Sequence, residues 1–277
     1  MGKPVWRFPN SVAMDYEIFL LDMIDRWMVD FKGQVDHALA RNGKADALGY
    51  ELTNLYTNVD ITLKGIPPYI LAGIANKTVT FNDAQWEKIT KDAFGVALLG
   101  ARPELKGIIQ QWVAENTLLI KKLQGDAVIE LQRRVNQGFT AGLSGNAIRD
   151  LILADGSIDL LGKSTSLKKN LQQRAKLIAV DQVGSLNGQL TQLNQTAIGV
   201  KAYTWETAKD IRVRGAAGGL YPYAIPSHAA RLGQRFTWDK PPEDGHPGSA
   251  IRCRCWARPD WSSMETIPPT LKKPKGL

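Results

Sequence analysis

The run Gln195-Thr196-Ala197-Ile198-Gly199-Val200-Lys201-Ala202-Tyr203-Thr204-Trp205 is where this 277-residue chain changes texture. Before it, Leu167, Leu171, Ala175, Ile178, Ala179, Leu186, Leu190, Leu193 and Ala197 recur at helical steps from a start at Ser166. Gly199 closes that helix, because a residue without Cβ enters the left-handed conformation at little cost. Gly184 and Gly188 lie inside it, where each weakens a helix by about 1 kcal/mol, which points to close contact with another helix at these positions. After Gly199 the β-branched and aromatic residues to Trp205 read as a short strand. Gln234 to Trp238, after a turn at Gly233, reads as a second. Ala250 to Ala257 alternates with period two and reads as a third. A strand there places Cys253, Cys255 and Ala257 on one face and Arg252, Arg254 and Trp256 on the other. Glycine- and proline-rich loops, 215–226 and 240–249, separate these runs.

Upstream the pattern is helical. Val12, Tyr16, Phe19, Leu20, Met23, Ile24, Trp27, Met28, Phe31, Val35 and Leu39 form an apolar stripe from Ser11 to Ala40, with Asn10 or Ser11 as cap and Arg41-Asn42-Gly43 as stop. His37 stands alone in that stretch as a surface or packing residue. Residues 60–80 look irregular, with a break at Pro67-Pro68 and the β-branched run Thr78-Val79-Thr80; Asn82 or Asp83 then caps a short helix through Trp86, Ile89 and Phe94. Glu104 to Ile120 and Asp126 to Phe139 read as further helices. A turn at Gly142-Leu143-Ser144-Gly145 precedes another at Asn146 to Leu153. The expected class is α+β: a predominantly helical N-terminal part, then a mixed domain of one long helix and short strands.

Composition narrows the function. Hydrophobic residues are 44% and charged residues 22% of the chain, a globular balance without a disorder signature. No apolar stretch approaches the roughly 20 residues of a membrane span, and the first residues lack the apolar core of a secretory signal. Cys253 and Cys255 are the only cysteines, which excludes a disulfide scaffold and suits a reducing compartment. The net charge of +8 is uneven. Residues 1–162 carry 17 Lys and Arg against 19 Asp and Glu, whereas residues 163–277 carry 18 against 8. A basic half of that kind points to a polyanion or an acidic protein surface as neighbour.

Two constellations carry chemistry. His228, His246, Cys253 and Cys255 are donor types that zinc favours, and four of them would close a tetrahedral structural site. The Cys-x-Cys gap is tighter than the usual two to four residues, so buried small side chains and ordinary loop histidines are the plainer alternative. Cys255 with His228 also suggests a hydrolase or toxin-like enzyme. No nucleophile elbow, phosphate-binding glycine loop or metalloprotease helix accompanies them, and an architectural, non-enzymatic role is expected. For sequence-independent contact with double-stranded DNA the candidates are Arg212, Arg214, Arg231, Arg235, Arg252, Arg254, Lys272, Lys273 and Lys275.

The order of pieces is more specific than any one of them. Arg174-Ala175-Lys176-Leu177-Ile178-Ala179-Val180-Asp181-Gln182 is followed by Trp205-Glu206-Thr207-Ala208-Lys209-Asp210-Ile211-Arg212-Val213-Arg214. Then come Ser227-His228, a glycine turn at Gly233, and Cys253-Arg254-Cys255. This series resembles the Mu F-like minor head protein domain of the phage head-morphogenesis family. A weaker likeness continues upstream through Trp112-Val113-Ala114-Glu115-Asn116, so the resemblance covers about residues 108–260. It implies a helical N-terminal region (1–107), a Mu F-like domain (108–262) and a basic tail (263–277). It also implies a capsid component inside the head near the portal, made in the host cytoplasm, with the portal, other head or scaffold proteins and packaged DNA as partners. One departure stands out. In the family the Arg-Val-Arg run passes almost at once to Ser-His, but here Gly215 to Pro226 intervenes between Arg214 and His228.

Overall fold

The computed structural model describes residues 6–42, 68–144, 146–147 and 166–264. Four long helices precede a small sheet: α1 (Asn10–Asn42), α2 (Pro68–Phe94), α3 (Leu105–Thr140) and α4 (Leu167–Thr196), then β1 (Ala202–Glu206), β2 (Arg235–Thr237) and β3 (Trp256–Pro259). The class is α+β, as the sequence indicates. No helix among the described residues is long and apolar enough to cross a membrane. The expected helix at Asn146 to Leu153 and the lysines at 272, 273 and 275 lie mostly or wholly outside the described residues.

Two expected breaks are absent. α2 runs unbroken through Thr78-Val79-Thr80 and Asn82. The threonines are accommodated because their hydroxyls donate to carbonyls one turn back, Thr78 to Ile74 at 3.0 Å and Thr80 to Asn76 at 3.1 Å. Pro68 opens the helix instead of interrupting it, since the first turn does not need the missing N–H. α3 likewise continues through Gln124-Gly125.

The chain packs as two compact units. One is drawn from Asp15–Leu71 and Ala114–Ala179. Its core is the inner stripe of its helices, with Tyr16, Leu20, Ile24, Phe31, Ile120, Leu123, Val128, Leu131, Leu171 and Ala175 buried. Inside it the Tyr16 hydroxyl donates to Asn116 Oδ1 at 2.8 Å. Arg174 with Asp126 and Lys168 with Asp25 pair at its surface.

The other unit is drawn from Met1–Met14, Ala72–Val113 and Val180–Leu277, and it holds the sheet. Strand order is β2-β1-β3, antiparallel throughout, with Tyr203 opposite Phe236 on one side and Pro259 on the other. Tyr203, Trp205, Trp238 and Ala257 form its apolar centre, with Phe236 and Cys255 packed against them. The third strand begins later than its alternation suggests. Ala250 to Arg252 form a turn closed by Cys253 N–H on the Ala250 carbonyl (2.8 Å), Arg252 takes φ 59°, and its N–H donates to Asp181 Oδ1 at 2.8 Å. Pairing starts only at Trp256.

α4 is closely approached at two of its glycines. A Cβ on Gly188 would stand 2.6 Å from the Pro247 carbonyl oxygen, and one on Gly184 would stand 3.0 Å from the Phe8 ring. Both glycines therefore admit neighbours, as their presence in a helix hints, but the neighbour at Gly188 is the 245–249 loop and not another helix. At the end of α4, Gly199 takes φ 85°, and the Gly199 and Val200 N–H groups satisfy the Thr196 and Gln195 carbonyls.

Candidate metal centre

Two segments of the sheet-bearing unit converge on one point. The 227–234 turn supplies His228, and the stretch entering β3 supplies Cys253 and Cys255. Their ligating atoms all lie within 4.8 Å of one another. His228 Nδ1 stands 3.6 Å from the Sγ of Cys253 and 3.6 Å from the Sγ of Cys255. His228 is 2% and Cys253 8% exposed, so the centre is buried. Both cysteines point to this centre, although they precede the strand on which alternation placed them.

The two equal separations also suit a shared metal ion. For a tetrahedral zinc with Zn–S of about 2.3 Å and Zn–N of about 2.0–2.1 Å, each sulfur falls roughly 3.5–3.6 Å from the nitrogen. The other ring nitrogen, Nε2, lies 2.8 Å from Asp244 Oδ2, the carboxylate–histidine arrangement usual behind a metal-bound imidazole. The Gly248 N–H donates to Cys253 Sγ at 3.4 Å. These residues form a His/Cys cluster of metal-binding type.

Without an ion the protons are shared unequally. The bond from Cys255 holds the Cys253 thiol well below its ordinary range, against the opposing effect of burial and with help from His228. Cys255 is correspondingly pushed far up, by its bond to Cys253 and then by burial. Burial alone would lower His228, but the bonds and charges of Cys253 and Asp244 outweigh it and raise it.

His246 is not among these residues. Its Nδ1 shares a hydrogen bond of 2.9 Å with the Tyr203 hydroxyl, and its ring packs edge-on to Trp238 at 4.8 Å. Burial lowers its pKa, opposed by the Trp238 backbone bond. His37 is exposed on α1. Asp244 and Trp205 escaped the sequence reading as site residues. Asp244 lies in the loop chosen for His246, but no fixed spacing to His228 marks it.

Of the motif series, Trp205, His228, Cys253 and Cys255 lie at this point. Residues 129–258 match the family model described as Phage Mu protein F like protein. That segment is thus similar to the phage Mu F-like family. An uncharacterized protein of Haemophilus influenzae is 29% identical over 202 residues, covering 72% of this chain but only 40% of that relative. The chain thus spans well under half the length of the curated relative it matches. No solved structure matches it.

Within the Mu F-like segment the long 215–226 insertion does not part its ends. Ala229 N–H donates to the Arg214 carbonyl at 2.9 Å, and Gly215 abuts Ser227 so closely that a Cβ would fall 2.0 Å from its Oγ. The insertion presents Leu220, Tyr221, Tyr223 and Ile225 to solvent, the last two at 93% and 94% exposure. The arginines of this Mu F-like region divide into two kinds. Arg231 is buried and pairs with Asp244. Arg212 and Arg254 share Asp210, Arg235 pairs with Asp260, and Arg214 donates to the Ile251 carbonyl. Arg212 and Arg235 nevertheless keep more than half of their side-chain surface exposed, and Arg252 is exposed.

Proposed function

We propose that this chain is a minor head protein of a phage or prophage that acts in head assembly at the portal vertex. It works inside the capsid after assembly in the host cytoplasm. The single observation that carries this reading is the Mu F-like match over residues 129–258, a segment that includes His228, Cys253 and Cys255. Its role is architectural. Portal and other head or scaffold proteins are its protein partners, and the exposed Leu220, Tyr221, Tyr223 and Ile225 supply apolar surface suited to such contact. The basic half of the chain, 18 Lys and Arg against 8 Asp and Glu, suits non-specific contact with packaged double-stranded DNA. His228, Cys253 and Cys255 hold zinc, which ties the 227–234 turn to the start of β3; the ion matches the donor set and the two 3.6 Å separations.

The test is deletion of the gene from its phage or prophage, with complementation. Heads that fail to form or fill without the protein, and its presence in purified virions, are the expected results. Fully infectious virions assembled without it overturn the proposal.

One observation favours a second reading. His228 bonded to Asp244 beside two thiols is also the layout of a cysteine nucleophile with an oriented base. Against it, His228 and Cys253 are both buried. Replacing both cysteines by serine separates the readings: loss of metal and of stability supports architecture, whereas an intact fold with loss of a hydrolytic activity supports catalysis.

A further inference from the structure

Behind the His228–Cys253–Cys255 cluster a second ring of side chains closes on itself. Asp244 Oδ2 faces His228 Nε2 at 2.8 Å, and its other oxygen accepts from the Arg231 guanidinium. That guanidinium lies over the Trp205 ring, 5.0 Å from its centroid. Trp205 meets the His228 ring edge-on at 5.3 Å and packs in the same buried group as Cys255. One group in this ring is poorly satisfied. The Trp205 indole Nε1 is buried with no partner at full hydrogen-bond geometry, and the acceptor it interacts with is the Cys255 sulfur.

A buried N–H without an acceptor is costly, about 1–3 kcal/mol in general. Its neighbour, the Cys255 sulfur, is only a weak acceptor as a thiol. A metal-bound thiolate is a strong one, because hydrogen bonds to an ionised acceptor are roughly twice as strong. The orphaned donor is thus suited to the metal-loaded state. Asp244 acts from the other side: accepting the Nε2 proton leaves the Nδ1 lone pair turned toward the sulfurs.

We propose that Trp205, Asp244 and Arg231 are positioning residues of a two-thiolate centre for a soft divalent metal. Trp205 donates its indole N–H to the metal-bound Cys255 sulfur, and the Arg231–Asp244 pair fixes the His228 tautomer. This rests on the zinc reading given above and adds what selects and holds the ion. It also assigns Arg231 to the centre and not to DNA.

The experiment is titration of the full chain with cobalt(II), followed through the thiolate-to-cobalt charge-transfer band. Wild type is expected to take one equivalent. Trp205→Phe is expected to keep that stoichiometry, bind about tenfold more weakly and move the band to longer wavelength. Asp244→Asn is expected to lose about 10–100-fold in affinity. Trp238→Phe is the control with the band unmoved, because the Trp238 indole donates to Gln195 Oε1 and not to the centre. A Trp205→Phe protein with wild-type affinity and an unshifted band overturns the role of Trp205. Wild type taking up no cobalt overturns the metal reading itself. A second measurement needs no variant: the Trp205 indole proton of the wild-type protein should move downfield and gain exchange protection when zinc is added. If zinc binds and that resonance stays in place, the proposal falls.

Discussion

Gly188 lies directly against Pro247, with room for a hydrogen and none for a methyl group. A Cβ there would meet the Pro247 carbonyl oxygen at 2.6 Å and the Gly248 Cα at 3.2 Å. Both atoms are backbone, so neither yields cheaply. Gly188→Ala should therefore destabilise the protein by at least about 2 kcal/mol, despite the roughly 1 kcal/mol that alanine gains over glycine in a helix interior. Gly107, exposed on α3 with nothing within 4 Å of its would-be Cβ, is the control. Gly107→Ala should stabilise by about 0.5–1 kcal/mol. Denaturant unfolding of both variants checks the signs, and a neutral Gly188→Ala contradicts the close approach.

The helix α2 owes its continuity to a buried polar ladder. Asn82 Nδ2 donates to Asn187 Oδ1 at 2.9 Å and to Thr191 Oγ1 at 3.1 Å, and Asn194 Nδ2 donates to Asn82 Oδ1 at 2.9 Å. Arg102 holds both oxygens of Asp83 and also Asn194. Asn82→Ala strands several buried groups at once, and each orphan costs about 1–3 kcal/mol. A loss of roughly 2–4 kcal/mol is expected by chemical unfolding. A loss below about 0.5 kcal/mol would mean that the ladder is hydrated.

This ladder marks where sequence reading reaches its limit. The stripes of α1 and α4 and the strand after Gly199 were legible, because each repeats an apolar period that burial later uses. Asn82 read as a cap, since a mid-helix asparagine is unfavourable unless a distant partner accepts its amide, and Asn187 is 105 residues away. Cys253 and Cys255 were legible as candidates from residue type and His228 from its place in the motif series, but the strand that alternation drew through both cysteines starts only at Trp256. His246 was a plausible fourth donor by residue type alone. Its engagement by Tyr203 and Trp238 depends on how the 240–249 loop folds back, which no local pattern encodes.

Acid should loosen the sheet-bearing unit through its paired carboxylates. The Arg212 bond holds Asp210 below the ordinary aspartate range, burial opposing and Arg254 assisting. Burial raises Asp260, but bonds from Ser262 and Arg235 outweigh it and leave it lowered. A folded-state pKa below the unfolded value, about 4, means that the unfolded chain binds more protons in acid. Stability from these groups is fully present above that value and lost as pH falls through the folded values. The melting temperature should drop steeply below about pH 4, and Asp210→Asn should flatten that limb. An unchanged acid limb in the variant refutes the assignment.

Contact with DNA, if it uses phosphates, must respond to salt. About six such contacts lose on the order of a thousandfold in affinity between roughly 50 and 200 mM salt. Arg212→Gln and Arg235→Gln should each weaken binding evenly across sequences and shallow the salt slope by about one. Arg231→Gln should instead cost stability, because its guanidinium is committed to Asp244 and Trp205. Mobility shifts on unrelated duplexes decide this, and absence of binding at low salt leaves the basic surface to an acidic protein.

Zinc should be part of the native state. At a thousandfold excess over its dissociation constant an ion stabilises by about 4 kcal/mol, which for a chain of this size is on the order of 10 °C in melting temperature. Uptake requires both sulfurs as thiolates and a neutral His228, so it should release protons and weaken as pH falls. Elemental analysis of protein purified without chelator should return close to one zinc per chain, and a strong chelator at neutral pH should lower the melting point by that order. His246→Ala should retain the metal, because that ring is engaged by Tyr203 and not by the cysteines. His228→Ala should lose it. Equal zinc loss in both variants would return His246 to the ligand set and dissolve the three-residue centre.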